Sequence, residues 1–132
     1  VSGHSAQTQA KLQIMMQYIH DNYSGQITLD DIARTVLISK SSVLNIFRTY
    51  LHTSPINYVV EYRLKRASKL LVDTENSVCA IAQETGFENI GYFCRKFKKL
   101  YGVTPINYRK HCRSAERNSM RNIHSDTNIL SG

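Results

Sequence analysis

Hydrophobic residues recur every three or four positions in several stretches of this 132-residue chain. This is the spacing of one face of an α-helix. Hydroxyl residues that favour helix N-caps, Thr28, Ser39 and Ser77, stand just before three of these stretches. The pattern predicts an all-α protein, and its clearest helices are expected over 29–36, 40–51, 78–85 and 89–101.

The chain repeats itself once. Pro-Ile-Asn-Tyr occurs at 55–58 and again at 105–108, and these two segments contain the only prolines. The two segments are fifty residues apart, and Phe47 matches Phe97 at the same offset. Ile32-Ala33 matches Ile81-Ala82 at an offset of forty-nine. The second copy therefore has one extra residue between its two helices. A short helix, a tight turn and a second helix with an apolar back form the helix-turn-helix plan, and the chain is predicted to contain two such units.

A long helix is predicted between the two copies. Ser54 caps it, Pro55 takes the first helical position, and no helix breaker follows until Asp73. Two further helices are expected over 9–23 and 105–112, which makes about seven. The predicted organisation is a flexible segment over 1–8, a first helix-turn-helix subdomain over 9–54, a linker helix over 55–73, a second subdomain over 74–112 and a disordered tail over 113–132.

The charge of the chain favours a polyanionic partner. Seventeen Lys and Arg against ten Asp and Glu give a net charge of +7, and the run from Arg95 to Arg113 holds seven basic residues and no acidic one. The alternative interpretation is an ordinary solvated basic face. No stretch approaches the roughly 18 apolar residues of a membrane span and no signal peptide is visible, so a cytoplasmic protein without a membrane segment is expected.

The cysteines and histidines predict no metal site and no disulfide framework. The three cysteines form no C-x-x-C pair, and the histidines lack the spacing of a ligand pair. Cys79 is expected to be a small apolar filler on a buried stripe, and Leu100 is expected to pack inward. No paired carboxylates, Cys–His set or glycine-rich phosphate loop stands out, so neither an enzyme nor a cofactor is predicted.

Residues of the linker helix and the second copy closely resemble the DNA-binding domain of the AraC/XylS family of transcription regulators, and with the weaker first unit the resemblance covers about residues 10–112. The matching residues are Arg63-Leu64, Ala67, Leu70-Leu71, Val78, Ile81-Ala82, Gly86-Phe87, Tyr92-Phe93, Arg95, Phe97-Lys98, Gly102, Thr104-Pro105 and Tyr108-Arg109. The resemblance implies seven helices, two recognition helices in successive major grooves, and a missing partner domain that senses an effector or dimerises. The expected partners are double-stranded DNA and RNA polymerase.

The chain departs from the family pattern at the turn of the first unit. Family members often have glycine there, whereas Leu37 stands at the position equivalent to Gly86. A branched residue at positive φ costs about 1 kcal/mol. The first turn is therefore expected to be distorted or differently closed.

The exposed N-terminal half of a recognition helix enters the major groove and reads base edges. The resemblance places base contacts at the same positions, and the candidates are Ser41, Ser42, Leu44 and Asn45 in the first unit and Asn89, Ile90, Gly91, Cys94 and Arg95 in the second. Asn45 could pair with adenine and Arg95 with guanine. Candidate phosphate contacts, which position the protein without reading sequence, are Lys40, Arg48, Lys98 and Lys99.

The predicted function is sequence-specific binding of double-stranded DNA for transcription regulation. The alternatives are a non-specific nucleic-acid-binding protein and the DNA-binding domain of a larger DNA-modifying enzyme. Two groove-sized helices with small polar faces favour B-form DNA over A-form RNA.

Overall fold

Seven α-helices account for the regular structure in a computed structural model that describes the backbone of residues 2–131 and the side chains of residues 6–120. No strand occurs in this described part of the chain. The helices are α1 Ser2–Asn22, α2 Leu29–Thr35, α3 Lys40–Leu51, α4 Pro55–Asp73, α5 Val78–Glu84, α6 Ile90–Tyr101 and α7 Pro105–Ser131. The predicted all-α fold with two helix-turn-helix units and a long linker helix is confirmed.

The helices begin where their caps predict. Thr28 and Asp31 form a reciprocal capping box at the start of α2. The hydroxyls of Ser39, Ser54 and Ser77 each accept a hydrogen bond from the backbone N–H of the residue three positions later. Such caps satisfy donors that have no partner within the helix. The start of α6 differs by one residue from the prediction, because residue 89 is the N-cap and not the first helical residue.

Two separate hydrophobic cores lie behind the helices, and α4 contributes to both. The first core joins α1, α2 and α3, with Val59 as its residue from α4. The second core joins α5 and α6 and takes Leu64, Ala67 and Leu71 from α4. We call α1–α3 unit 1 and α5–α7 unit 2. Because one continuous helix supplies side chains to both cores, the two units are attached to a common rod.

The two helix-turn-helix turns follow similar backbone paths with different residues. Leu37 has φ 54° and Gly86 has φ 95°, so the positive φ expected for Leu37 is present. The N–H of Leu37 reaches the Arg34 carbonyl at 3.4 Å, and the equivalent bond from Gly86 to Gln83 is 3.1 Å. The distortion expected of the first turn is limited to its longer hydrogen bonds.

Both ends of the chain are more helical than predicted. Helix α1 begins at Ser2 rather than near residue 9, and α7 continues to Ser131, where the sequence predicts a disordered tail. The side chains of residues 1–5 and 121–132 lie outside those described. Arg113 ties α7 to the segment after α4, since its Nη2 lies 2.7 Å from the Glu75 carboxylate. No proline or glycine interrupts residues 106–131.

Two side chains predicted to be buried are exposed. Cys79 faces solvent, because it is one residue, or about 100° of helix rotation, beyond Val78 on the stripe that packs inward. Leu100 is 42% exposed and lines a groove between α4 and α6. The core of α6 is made instead by Phe93 and Phe97, both fully buried.

Candidate nucleic-acid interface

Helix α3 presents a polar face on the side opposite its core. Val43 and Phe47 are fully buried, whereas Ser41, Asn45 and Arg48 are exposed. Spacings of four and three residues place these three on one side of the helix. The face therefore offers a small hydroxyl, an amide and a guanidinium in a row along about two helical turns.

Helix α6 presents an equivalent face. Gly91, Arg95 and Lys98 lie fifty positions after the three residues of α3 and occupy the same side of their helix. Arg95 and Lys98 are exposed. The duplication thus gives the chain two outward faces of matching geometry and different chemistry, an amide at the centre of one and a guanidinium at the centre of the other.

Apolar candidates flank both polar faces. Leu44 and Ile90 are 39% and 40% exposed, which leaves part of each side chain free to meet a thymine methyl group. Lys40 stands at the position of Ile90 in the first copy. Cys94 is half-buried and packs against the second core, so it has less free surface than its equivalent, Leu44.

Two of the base-contact candidates take part in helix caps, Asn89 as the N-cap of α6 and Ser42 as the partner of the N-cap Ser39. The Ser39 hydroxyl accepts the N–H of Ser42 at 3.1 Å, and the two hydroxyls lie 3.0 Å apart. The Asn89 Oδ1 accepts the Tyr92 N–H at 2.9 Å, which leaves its amide Nδ2 group to donate. Capping fixes these side chains at the N-terminal ends of the two recognition helices.

Gly91 leaves room for the Arg95 side chain. A Cβ atom at Gly91 would lie 3.4 Å from Arg95 Nη1 and 3.2 Å from Asn89 Oδ1. The guanidinium therefore reaches back over the first turn of α6, next to the amide of Asn89. Two hydrogen-bonding groups of different type are brought together at the N-terminal end of α6.

The four candidate phosphate contacts are all exposed. Lys40 Nζ lies 3.4 Å from the Asp30 carboxylate, and both side chains are more than half exposed. A surface pair of this kind contributes little, so Lys40 can exchange it for a phosphate at small cost. Lys99 lies next to the groove that Leu100 also lines, beside Glu61.

The basic run of residues 95–113 does not form one continuous surface. Arg109 is turned towards the protein, where it donates to the carbonyls of Leu71 at 2.7 Å and Asn76 at 2.6 Å. Arg113 binds Glu75 and the Thr74 carbonyl. These two arginines hold the end of α4, so most of the positive charge that this run leaves available to a polyanion lies on α6.

A family model described as a helix-turn-helix domain, of the AraC type, matches residues 32–111. The chain belongs to the AraC-type helix-turn-helix family. The match includes both recognition helices, α4 and the start of α7. The resemblance inferred from the sequence is thereby confirmed.

Three known proteins resemble the chain in sequence or in fold. The HTH-type transcriptional regulator YdeC of Bacillus subtilis is 33% identical over 100 residues, which cover 76% of this chain and 34% of YdeC. An AraC-type transcriptional regulator structure from Chromobacterium violaceum has 31% identity and a TM-score of 0.75, covering 80% of this chain and 94% of that one. The DNA-binding domain of AdpA, solved with a target DNA, has the same fold at 20% identity, with a TM-score of 0.72 and coverage of 80% and 94%. The chain spans about a third of the length of YdeC.

Within this AraC-type fold, Arg63 on α4 is a residue that reasoning from the sequence missed as part of the interface between the units. It donates to two backbone carbonyls at the end of α1 and lies against Gly86 in unit 2. The sequence feature that could have drawn attention to Arg63 is the repeat, because Arg63 lies fifty positions before another arginine, Arg113.

Among the described side chains, no group of three or more His, Cys, Asp or Glu is placed to hold a metal ion. Across the same residues, no helix combines the length and the apolar composition needed to cross a bilayer.

Proposed function

We propose that this chain binds double-stranded DNA sequence-specifically and regulates transcription, with α3 and α6 in successive major grooves. The observation that carries the proposal is the pair of equivalent outward faces on the two recognition helices. A buried core backs each face, and each N-terminus is held by a cap. A helix with one polar face and a rigid back has the dimensions to enter a major groove.

The centre of each face supplies the residue that we propose reads bases most strongly. Asn45 can donate to and accept from adenine in a bidentate pair, and Arg95 can donate twice to guanine. Each such pair contributes about 1–3 kcal/mol of discrimination against a wrong base. The remaining proposed base contacts are Ser41, Ser42, Leu44, Asn89, Ile90, Gly91 and Cys94.

The length of α4 is compatible with both units binding to the same side of one DNA duplex. Its 19 residues correspond to about 28 Å, and successive major grooves on one side of B-form DNA lie about 34 Å apart. The rod and the width of the attached units together can match that separation. One chain would then read two short blocks of bases without requiring a palindrome.

Regulation is proposed from the relatives, which are named as transcription regulators. Since the chain spans 34% of YdeC, we propose that a second domain, for effector sensing or dimerisation, accompanies it in the whole protein. RNA polymerase is proposed as the protein partner. No catalytic step is proposed for the present residues.

Selection of bound sequences from random duplexes, followed by titration, tests this function. Wild-type protein should prefer the selected duplex over a scrambled one. If Lys40, Arg48, Lys98 and Lys99 contact phosphates, the slope of log affinity against log salt should be about −3 to −4. Equal affinity for both duplexes would contradict specific recognition and support the non-specific alternative.

Alanine variants separate base reading from positioning. Arg95→Ala should relax the preference at one base position, and Asn45→Ala should do so about one helical turn of DNA away. Lys98→Ala should weaken all duplexes alike. Lys110→Ala is a matched control, because it removes a lysine of the same basic run that lies on α7 and should leave binding unchanged. Arg95 would not be a base contact if its variant weakened every duplex equally.

A further inference from the structure

The guanidinium of Arg63 ties α4 to the end of α1. Arg63 Nε donates to the Tyr23 carbonyl at 2.7 Å, and Nη2 donates to the Gly25 carbonyl at 2.7 Å. These carbonyls follow the last residue of α1, where the backbone lacks partners within the helix. The planar group therefore holds the segment between α1 and α2 in one orientation relative to the rod.

The same guanidinium also touches unit 2. A Cβ atom at Gly86 would lie 2.7 Å from Arg63 Nε and 2.6 Å from the Tyr23 carbonyl oxygen. The turn of unit 2 therefore approaches unit 1 so closely that only glycine fits. We call Tyr23, Arg63 and Gly86 the junction. Beside it, an open cleft of about 720 Å³ separates parts of the two units and is lined by residues such as Gln26, Glu88 and Tyr92.

Glu88 lines the cleft beside the junction together with Arg63. It is the extra residue of the second copy, since Phe87 follows the offset of forty-nine and Asn89 the offset of fifty. Burial lowers the pKa of the Arg63 guanidinium, while the charge of Glu88 opposes this shift. The inserted residue thus places a negative charge of unit 2 near the cation of α4.

The repeat places a second arginine, Arg113, at the position equivalent to Arg63. Arg113 makes a similar bond to a backbone carbonyl but no contact between the units. Arg113 lies fifty positions after Arg63 and donates to the Thr74 carbonyl at 3.1 Å, just as Arg63 donates to Gly25. Its other partner is Glu75, at 2.7 Å, in the segment between α4 and α5 and not in unit 1. Arg113 therefore has the local role of Arg63 within its unit without the contact between units.

We propose that Arg63 is a positioning residue that fixes the rotation of unit 2 relative to unit 1 and thereby sets the base-pair spacing between the two DNA blocks. This rests on the proposed function. The fork of the guanidinium can donate to two carbonyls at once while its Nε and Cζ lie against Gly86, which neither an ammonium group nor an apolar chain can reproduce. Without it, the units remain attached to α4 while the close contact between them loosens.

A spacing series tests the consequence for DNA. The selected duplex is altered by removing one base pair, or adding one or two, between its two blocks, and affinity is measured for the full 132-residue chain, Arg63→Met and Arg113→Met. Wild type and Arg113→Met should lose about tenfold at a change of one base pair, the loss of about one good base contact. Arg63→Met should show a flatter spacing profile with unchanged base preferences inside each block. A profile as sharp as that of wild type would overturn the proposal.

A measurement without DNA distinguishes failure of this inference from failure of the proposed function. Spin labels at Thr49→Cys and Lys99→Cys, in a variant with Cys79, Cys94 and Cys112 replaced by serine, report the distance between α3 and α6. Arg63→Met should broaden or shift the distance distribution, and Arg113→Met should not. An unchanged distribution would overturn the role of Arg63 whether or not DNA binds. Arg63→Lys is used if the methionine variant does not fold, and failure of both variants to fold would show a general structural role and also reject the proposal.

Discussion

The turns of the two helix-turn-helix units reach nearly the same backbone geometry with opposite residue choices. Unit 1 uses Leu37 and His52 at positive φ, and unit 2 uses Gly86 and Gly102 at the equivalent positions. Glycine adopts such φ values at no steric cost, whereas a residue with a Cβ atom is strained there. Both units keep the turn that aims their recognition helix, so unit 1 maintains this geometry against strain that unit 2 avoids.

The hydrogen bonds of the first turn show where the strain appears. Val36 N–H bonds to Ala33 at 3.4 Å, three residues back, whereas the equivalent Thr85 N–H bonds to Ile81 at 3.0 Å, four residues back. The Thr85 hydroxyl also donates to the Ile81 carbonyl at 2.8 Å, and this threonine is fully buried. Unit 2 therefore has the better-formed turn, and it is also the turn that the junction requires.

Replacing Gly86 should produce the largest change in stability. Gly86→Ala introduces a Cβ atom 2.6 Å from the Tyr23 carbonyl oxygen, and backbone must move to relieve the overlap. Together with the cost of positive φ, this should lower the free energy of unfolding by about 2–4 kcal/mol, measured by urea denaturation.

Gly102→Ala is the matched control for this substitution. Gly102 also has positive φ, 81°, and no atom lies within 4 Å of its added Cβ position. Its variant should lose only about 1 kcal/mol. Equal losses for the two variants would mean that close approach at Gly86 contributes nothing and that backbone conformation alone demands glycine there.

Relieving the strain in unit 1 should raise stability. Leu37 is 90% exposed, so Leu37→Gly removes almost no buried surface while allowing the positive φ. The expected gain in the free energy of unfolding is about 0.5–1 kcal/mol. It is no larger because glycine loses more conformational freedom on folding than leucine does. Urea denaturation of the variant beside wild type measures it. A loss of stability would show that the leucine side chain makes contacts that its exposure does not reveal.

The smallest predicted difference between the units is a pH effect in unit 1. Burial lowers the pKa of His20 from its ordinary value of 6.5, although Asp21 opposes this, and His20 Nε2 lies 2.8 Å from the Tyr58 hydroxyl. The unfolded chain therefore takes up a proton more readily than the folded one as the pH falls through about 6.5. Stability should fall between pH 7.5 and 5.5 by about a few tenths of a kcal/mol, because the ring is partly exposed.

His20→Gln should flatten this dependence, whatever its effect on absolute stability. The pH range from 7.5 to 5.5 lies above the ordinary pKa of Asp31, 3.8, and the hydrogen bond from the Thr28 backbone lowers the pKa of Asp31 further. Titration of Asp31 therefore does not contribute to the comparison. Denaturation midpoints for wild type and variant at both pH values provide the comparison. An equal slope in the two proteins would assign the pH effect to another group.

Local features of the fold could be predicted from the sequence. Caps depend on residues three positions apart, and the strain at Leu37 followed from one substitution at a turn whose φ is positive. The contact that holds α7 against the end of α4 could not be predicted in this way, because Arg113 and Glu75 are 38 residues apart in the sequence. Arg63 was missed for the same reason, since its partners Tyr23 and Gly86 are near only after folding.

The candidate interface was predictable to the extent that it follows helix periodicity. The outward positions of Asn45 and Arg95 follow from the spacing of the buried residues behind them. The capping role of Asn89 and the partial burial of Cys94 depend on where the helix starts and on how closely the second core packs. Those two details determine which side-chain atoms remain available to contact DNA, and the pattern of hydrophobic and polar residues does not predict them.

The central claim is that one rigid chain reads two blocks of bases in successive grooves through two equivalent faces. Inserting five base pairs between the blocks of the selected duplex tests it most directly, because this turns one groove to the far side of the DNA, beyond the reach of α4. Affinity should fall at least about tenfold, and an insertion of ten should not restore it, since a rod of about 28 Å cannot lengthen. Affinity that survives the five-pair insertion would contradict the claim and show that a single unit engages the bases.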